Sequence, residues 1–174
     1  MKSIMGLRLF VFASFLFAVS VGHAGIKAGA SQRDITPPVG LEIQHYFRQS
    51  VGVHDPLYAR CLFLEDEEKS AVVIVTLDLI MGGFDTCDYL REKIREQTGI
   101  KNSLIAFSHS HSSAGLGPHG QTKVKNDVDS EWNDRTLGVI LEVVKEAKQR
   151  AVTVKLRSGR ADVQVGFNRR QINP

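Results

Sequence analysis

The chain of 174 residues is poor in several features that define classes of protein. It has two cysteines, Cys61 and Cys87, so a disulfide-dense scaffold is excluded. Neither cysteine lies in a recognisable nucleophile motif, and two mostly buried thiols are favoured over a disulfide. The basic residues are scattered, and no Lys/Arg run is interleaved with aromatics. The sequence therefore gives no support for nucleic-acid binding.

Long apolar runs are absent after residue 24. In residues 1–24, Lys2 and Arg8 precede the apolar run LFVFASFLFAVSVG. Gly22-His23-Ala24 then supplies small residues of the kind after which signal peptidase cleaves. The run is short for a membrane span of about 20 residues, so residues 1–24 are predicted to be a cleaved secretory signal rather than a retained anchor. We expect an exported protein, periplasmic or extracellular. Loss of Lys2 and Arg8 lowers the formal charge from +3 to +1, so net charge says little about partners.

Residues 25–174 carry the patterns of strands and helices. Tyr58–Glu65 and Ala71–Leu79 are predicted strands joined by a short charged turn, which favours an antiparallel hairpin. The second strand is apolar nearly throughout, which indicates burial on both faces. Alternation ahead of Pro37 predicts a further strand, as does the pattern that follows residue 151.

A helix and another strand follow the hairpin. Asp85 or Thr86 is expected to cap a helix that ends at Gly99, and NSLIAFSHSH is predicted to be a strand. The order strand, helix, strand predicts a right-handed crossover between parallel strands. A second amphipathic helix is expected from Ser130, its predicted cap, through SEWNDRTLGVILEVVKEAKQRA. The predicted fold class is therefore α/β, a mixed sheet with a βαβ crossover and flanking helices.

His109 and His111 lie at the predicted carboxyl end of that last strand. Residues two apart on a strand face the same side, and ligands of open α/β sheets gather at the carboxyl ends of the strands. Two converging imidazoles are a common beginning of a zinc site. The alternative is that one histidine caps the strand by hydrogen bonding and the other is exposed to solvent. The residues alone leave both interpretations open.

Other candidates are weaker. Asp78 ends the preceding strand and could orient a histidine as a carboxylate partner, or could instead bind loop amides. His54 is predicted to lie in a turn, and His119 in a glycine-bearing loop is expected at the surface rather than in a site. No G-x-S-x-G elbow surrounds any of the serines near the histidines, so a serine nucleophile of that type is not indicated.

Four segments occur in the order seen in one known family: DITPPVG, GVHDPLYARCLFLED with VVIVTLDLI, SHSHSS, and GFNRR. In this order they resemble the N-terminus of the neutral/alkaline non-lysosomal ceramidases, over essentially all of residues 25–174. The resemblance implies a zinc-dependent amidase that hydrolyses ceramide to sphingosine and fatty acid. It implies that His109 binds Zn²⁺, that His111 contacts the reacting amide, and that Arg169, beside Asn168, lies near the substrate.

The resemblance also implies that the site is shared with later sequence, because the family completes its zinc site with another His, a Glu and a Tyr. We therefore expect residues 25–174 to be the N-terminal portion of an incomplete catalytic domain, with little or no turnover alone. Expected partners are ceramide or another N-acyl amide, with peripheral contact to membrane lipid, and the oligomeric state is left open. The alternative hypothesis is a non-catalytic exported α/β domain that binds a lipid or a glycan.

Overall fold

The computed structural model describes most of the chain after the predicted signal. The described residues are 25–43, 48–117 and 127–165, without the side chains of 127–130. Four predicted features lie outside them: the signal segment 1–24, His119, Asn168 and Arg169. No helix among the described residues is long and apolar enough to cross a membrane.

The described residues form seven strands and two helices. The strands are β1 (Ile26–Asp34), β2 (Glu42–Ile43), β3 (Arg48–Gln49), β4 (Tyr58–Glu65), β5 (Ala71–Leu77), β6 (Asn102–Phe107) and β7 (Val152–Val154). The helices are α1 (Phe84–Thr98) and α2 (Asp127–Gln149). Five strands form one sheet in the order β6-β5-β4-β1-β7, and β2 pairs with β3 separately.

The sheet is mixed, as the sequence pattern predicts. The β4–β5 hairpin is antiparallel, and β5 pairs in parallel with β6 through α1. β1 pairs antiparallel with both β4 and β7. Because parallel neighbours need a crossover connection, the β5–α1–β6 unit fixes the carboxyl ends of β5 and β6 at the same edge of the sheet. The α/β fold class is confirmed, and the loop after β6 begins at this edge.

Both helices pack on one face of the sheet. Phe63, Val73 and Val75 on the central strands face the helices and are inaccessible to solvent. They form one core with Leu90 of α1 and the inner face of α2, whose core residues are Trp132, Leu137, Ile140, Leu141, Val143, Val144 and Ala147. This burial explains the helical spacing of apolar residues in both helices.

One glycine allows α2 to lie close to the sheet. A Cβ atom at Gly29 on β1 would overlap the carbonyl oxygen of Ala147 and lie 2.8 Å from the backbone nitrogen of Ala151. Both of those atoms are backbone, so they cannot move aside as a flexible side chain would. The end of α2 therefore packs directly on the β1 backbone.

Several predicted boundaries are wrong. α1 is capped by Gly83, which makes no side-chain cap hydrogen bond, because the Thr86 side chain faces the core and its Oγ1 has no partner among the described residues. α2 begins at Asp127, ahead of Ser130. The last strand ends at Val154, and residues 155–165 form no regular element.

Candidate functional site

The segment after β6 turns sharply at His109. The Ser108 N–H donates to the Leu77 carbonyl at 2.9 Å, and the His109 N–H donates to the Leu79 carbonyl at 3.1 Å. His109 has φ of +57°, in the left-handed region that costs a non-glycine residue on the order of 1–3 kcal/mol. The extended backbone therefore ends before His111, and strand alternation does not explain how the two histidines meet.

The two imidazoles nevertheless converge. The Nε2 atoms of His109 and His111 are 3.3 Å apart, and the rings stand edge to face at 79° with centroids 4.9 Å apart. Both residues are exposed. The predicted meeting of the pair is present in the structure, and a turn at His109 produces it.

A backbone carbonyl sets the tautomer of His109. Its Nδ1 lies 2.8 Å from the Ile80 carbonyl oxygen. Since a carbonyl can only accept, Nδ1 is the donor and carries the hydrogen. In the neutral ring, Nε2 then carries the lone pair, which points toward His111. Histidine ligands of metals show the same arrangement, with Nδ1–H donating to a carbonyl or carboxylate.

Hydrogen bonds hold the loop that carries the histidines. The Ser113 hydroxyl donates to the Ser110 carbonyl at 2.8 Å, and the Ile80 N–H donates to the Ala114 carbonyl at 3.2 Å. The Leu116 N–H donates to the Met81 carbonyl at 2.8 Å. The loop is thus exposed at the histidines and buried from Ser113 onward, where it joins the segment that follows β5.

Gly82 brings this neighbouring segment close to β6. A Cβ atom there would overlap Cζ of the Phe107 ring and lie 3.0 Å from Cε1. Gly82 also forms a parallel bridge with Leu116. The Phe107 ring therefore packs over the glycine, two residues before His109, and supports the backbone from which the site extends.

Asp78 makes its hydrogen bonds with β4 rather than with a histidine. Its Oδ2 accepts from the Tyr58 N–H at 3.0 Å and from Arg60 Nη1 at 2.6 Å. The position that a carboxylate would take at His109 Nδ1 is held by the Ile80 carbonyl. Of the two roles weighed for Asp78, these contacts resemble the binding of backbone amides.

A cleft of about 530 Å³ lies beside the histidine loop. Its apolar lining includes Pro37, Leu41, Ile43, Val53, Leu57 and Ala114, and Ser110 and Ser112 contribute hydroxyls. Local sequence patterns missed it because its walls come from segments far apart in the chain. The signal that could have found it was the grouping of irregular, proline-bearing segments, DITPPVG and GVHDPL, around a strand-end loop.

His54 lines this cleft but belongs to a separate polar pair. Its Nδ1 lies 2.8 Å from Asp55 Oδ2, and its side chain is 96% exposed. The contact is between neighbours in a turn, as the sequence predicts. The contact of His54 is therefore separate from that of the His109 and His111 pair.

The described residues do not assemble a complete metal site. Among them, no group of three or more His, Cys, Asp or Glu side chains is placed to hold a metal. Both cysteines are free, and burial raises the pKa of the Cys61 thiol to about 12. Burial also raises the pKa of Cys87. Since metals bind the thiolate, the raised pKa values disfavour both cysteines as metal ligands.

These features define a mixed α/β region with a histidine pair at the carboxyl end of a parallel strand. No family model matches the chain. It is 28% identical over 122 residues to the neutral ceramidase of Drosophila melanogaster, covering 67% of this chain and 17% of that protein. It is 27% identical over 103 residues to the neutral ceramidase of Drosophila pseudoobscura pseudoobscura, covering 55% of this chain and 15% of that protein.

Solved structures give the same relationship at the level of the fold. The neutral ceramidase from Pseudomonas aeruginosa matches with a TM-score of 0.58 and 18% identity, over 75% of this chain and 22% of that chain. A ceramidase complexed with C2 matches with the same values. The chain is a neutral ceramidase-related region, so the predicted resemblance is confirmed. It spans between 15% and 22% of the length of these proteins.

Proposed function

We propose that the chain is the N-terminal portion of an exported, zinc-dependent amide hydrolase that acts on ceramide or a related N-acyl amide. The observation that carries this proposal is the exposed His109 and His111 pair at the sheet edge of a ceramidase-related region. The similar proteins are neutral ceramidases by name, and one similar structure is a ceramidase complexed with C2. The pattern of residues 1–24 supports export to the periplasm or the extracellular space.

His109 fits the role of a zinc ligand. The Ile80 carbonyl fixes its Nδ1–H, which leaves Nε2 as the donor atom on the exposed side of the loop. When bound, zinc would polarise the amide carbonyl and lower the pKa of a bound water to about 7. A catalytic zinc generally takes three protein ligands. In this proposal, the ligands beyond the described residues come from the longer enzyme.

His111 and Arg169 are proposed to act on the substrate, as the resemblance implies. The His111 ring lies in hydrogen-bonding range of His109, so a carbonyl near the metal would also lie near His111. Arg169 would add a guanidinium that stabilises a developing oxyanion, with Asn168 beside it. Both of these residues lie outside the described residues.

The cleft beside the loop suits an apolar part of the substrate. Its volume of about 530 Å³ lies within the range of roughly 300–1,000 Å³ that is usual for ligand pockets. Leu41, Ile43 and Val53 would contact an alkyl chain, and Ser110 and Ser112 would contact a polar group of the substrate. Peripheral contact with a membrane would let such a chain enter from the lipid phase.

One observation favours a second candidate, a non-catalytic exported domain that binds a lipid or a glycan. The cleft is lined by Ser110 and Ser112, but neither His109 nor His111 is among its lining residues. A ligand could therefore bind there without reaching the imidazoles. This candidate predicts that binding survives both chelation and the His109→Ala substitution.

Hydrolysis of a fluorescent N-acyl sphingosine tests the two candidates. We would assay the longest polypeptide that the gene encodes, with and without a zinc chelator, and compare His109→Ala with the control Lys101→Ala, at an exposed residue that does not line the cleft. The amidase proposal predicts that chelation and His109→Ala abolish fatty acid release, whereas Lys101→Ala retains it. Hydrolysis that survives chelation contradicts zinc dependence, and binding without hydrolysis supports the non-catalytic domain.

A further inference from the structure

We propose that Asp78 is a positioning residue for His109 and that it acts through the backbone rather than by direct contact. Asp78 ties the segment 77–81, the end of β5 and the residues that follow it, to β4. Carbonyl groups of this segment in turn hold the backbone and the ring of His109. The consequence for activity rests on the proposed function, whereas the predicted effect on the His109 ring does not depend on any amide being cleaved.

The segment 77–81 supplies both hydrogen-bond acceptors of His109. The Leu79 carbonyl accepts from the His109 N–H at 3.1 Å, and the Ile80 carbonyl accepts from its Nδ1 at 2.8 Å. Because the two carbonyls belong to consecutive residues, a rotation of this backbone would move both acceptors together. The bond made by one ring nitrogen decides which nitrogen carries the hydrogen. The position of this segment therefore sets both the turn at His109 and its tautomer.

Asp78 makes its bonds in the opposite direction, to β4. Its N–H donates to the Tyr58 carbonyl at 3.0 Å, and its Oδ2 accepts from the Tyr58 N–H at 3.0 Å. One residue of the neighbouring strand thus holds Asp78 by both its main chain and its side chain. Because Asp78 directly precedes Leu79, the chain is fixed to the sheet just before the two acceptors of His109.

Arg60 strengthens this attachment. Its Nη1 donates to Asp78 Oδ2 at 2.6 Å, and its guanidinium carbon lies 4.9 Å from the centroid of the Tyr58 ring. The carboxylate is partly shielded, with the Asp78 side chain 29% exposed. Charge-assisted hydrogen bonds of this kind are stronger than bonds between neutral groups. The Asp78 carboxylate therefore has a defined place between β4 and the segment 77–81.

Glu65 provides a matched control at the other end of the same strand. It is also a partly shielded carboxylate, 18% exposed, and its Oε1 lies 3.9 Å and 3.3 Å from the amines of two lysines. The register pairs Glu65 with Ala71, the first residue of β5, so it lies far from the histidine loop. Removal of either carboxylate costs β4 an ion pair, but removal of Asp78 also releases the segment that holds His109.

The tautomer of His109 tests this inference in the metal-free full chain labelled with ¹⁵N-histidine. Two-bond ¹⁵N–¹H correlation spectra show which ring nitrogen carries the hydrogen, and His109→Ala assigns the signals by their loss. Wild type and Glu65→Ala are expected to carry it on Nδ1. In Asp78→Ala, the signals should move toward those of a ring that exchanges between both tautomers. Asp78→Asn keeps an oxygen that can accept from the Tyr58 N–H, so it should retain the wild-type tautomer.

The effect on activity is measured in the longest polypeptide that the gene encodes. Asp78→Ala should lower kcat for hydrolysis of an N-acyl sphingosine by ~10–100-fold, the usual effect of losing a group that orients a site residue. KM should change little, because Asp78 does not line the cleft. Asp78→Asn should recover most of the rate, and Glu65→Ala should match wild type. Circular dichroism of each variant checks that the fold is intact.

The overturning results are distinct from a failure of the proposed function. An unchanged His109 tautomer in folded Asp78→Ala overturns the proposal, because a purely structural residue would lower stability without moving these signals. If Asp78→Ala does not fold, Arg60→Ala removes one contact of the carboxylate, and an unchanged spectrum there overturns the proposal. Equal kcat in an active wild type and Asp78→Ala also overturns it. A tautomer shift without hydrolysis by wild type supports the positioning role and rejects the amidase.

Discussion

The two faces of the five-stranded sheet share the same strands but lie in different environments. The face toward the helices carries Phe63, Val73 and Val75, which are at most 1% exposed. On the other face, Leu62 is 39% exposed and Leu104 is 60% exposed. The cross-strand register aligns four apolar residues in one row of this open face: Ala30, Leu62, Ile74 and Leu104.

The two faces show how far the alternation of apolar and polar residues predicts the burial of a strand. The inward positions of β4 and β5 follow from period-two patterning. The nearly continuous apolar sequence of β5 predicts burial on both faces, yet among the described residues only its inward face is fully buried. The row on the open face consists only of apolar residues, which is typical of a surface that is buried against other polypeptide. Substitutions and thiol labelling on the two faces test this difference.

Among substitutions that shorten a side chain, the largest expected effect comes from removing a core ring. Phe63→Ala should lower the free energy of unfolding by about 3–5 kcal/mol, because the side chain is fully buried and leaves a cavity. The matched change on the other face, Leu62→Ala, should cost about 1 kcal/mol, because part of that side chain is already in water. Denaturant unfolding measures both. Equal losses would contradict the assignment of the two faces.

The close approach of α2 to β1 predicts a smaller effect. Gly29→Ala should destabilise the protein by about 1–3 kcal/mol, since the new methyl group meets backbone atoms of Ala147 and Ala151. Gly138→Ala is the control, because a Cβ there meets nothing within 4 Å, and alanine in a helix should stabilise by about 0.5–1 kcal/mol. Thermal unfolding compares them. A neutral Gly29→Ala would show that α2 can move away from the sheet.

The alkylation rates of the two thiols measure how well the covered face excludes solvent. This measurement needs no substitution that strongly destabilises the protein. Cys61 faces the helices, and burial raises its pKa to about 12, so almost no thiolate is present near neutral pH. Alkylation at pH 8 should modify Cys87 first and Cys61 only as the protein unfolds. Cys61→Ser and Cys87→Ser separate the two rates. Rapid modification of Cys61 in folded protein would show that this face opens to solvent.

The smallest effect is expected on the open face. Leu104→Lys should change the free energy of unfolding by no more than ~0.5 kcal/mol, because the side chain is mostly in water. Leu77→Lys, on the covered face of the adjacent strand, is the contrasting variant and should prevent folding or destabilise strongly. Denaturant titration of Leu104→Lys is the measurement. A large loss there would show that other polypeptide covers the row in solution.

Local patterns predict the elements of this fold better than their ends. The strand Tyr58–Glu65 has the predicted bounds, because its alternation and the charged turn after it are both visible in the sequence. The parallel crossover follows from the order of elements. The predicted Thr86 cap is wrong because tertiary packing places that side chain in the core, which a capping rule does not take into account.

The site was less predictable than the sheet. The convergence of His109 and His111 depends on a left-handed residue that the sequence does not mark with glycine. The partners of Asp78 depend on its neighbours across the sheet, Tyr58 and Arg60. Such contacts between distant segments follow from the register of the strands. The residue types alone identify His109 and His111 as candidate site residues, but they do not determine the orientation of the two rings.

The position of β6 has a consequence for how a larger site could be assembled. β6 is the outermost strand on its side of the described sheet, so one row of its backbone N–H and C=O groups can pair with a further strand. A strand added parallel to β6 would have its own carboxyl end beside His109. Side chains following that strand would reach the imidazole pair directly. Growth of the sheet by one strand and completion of the site around the histidines would then be a single event.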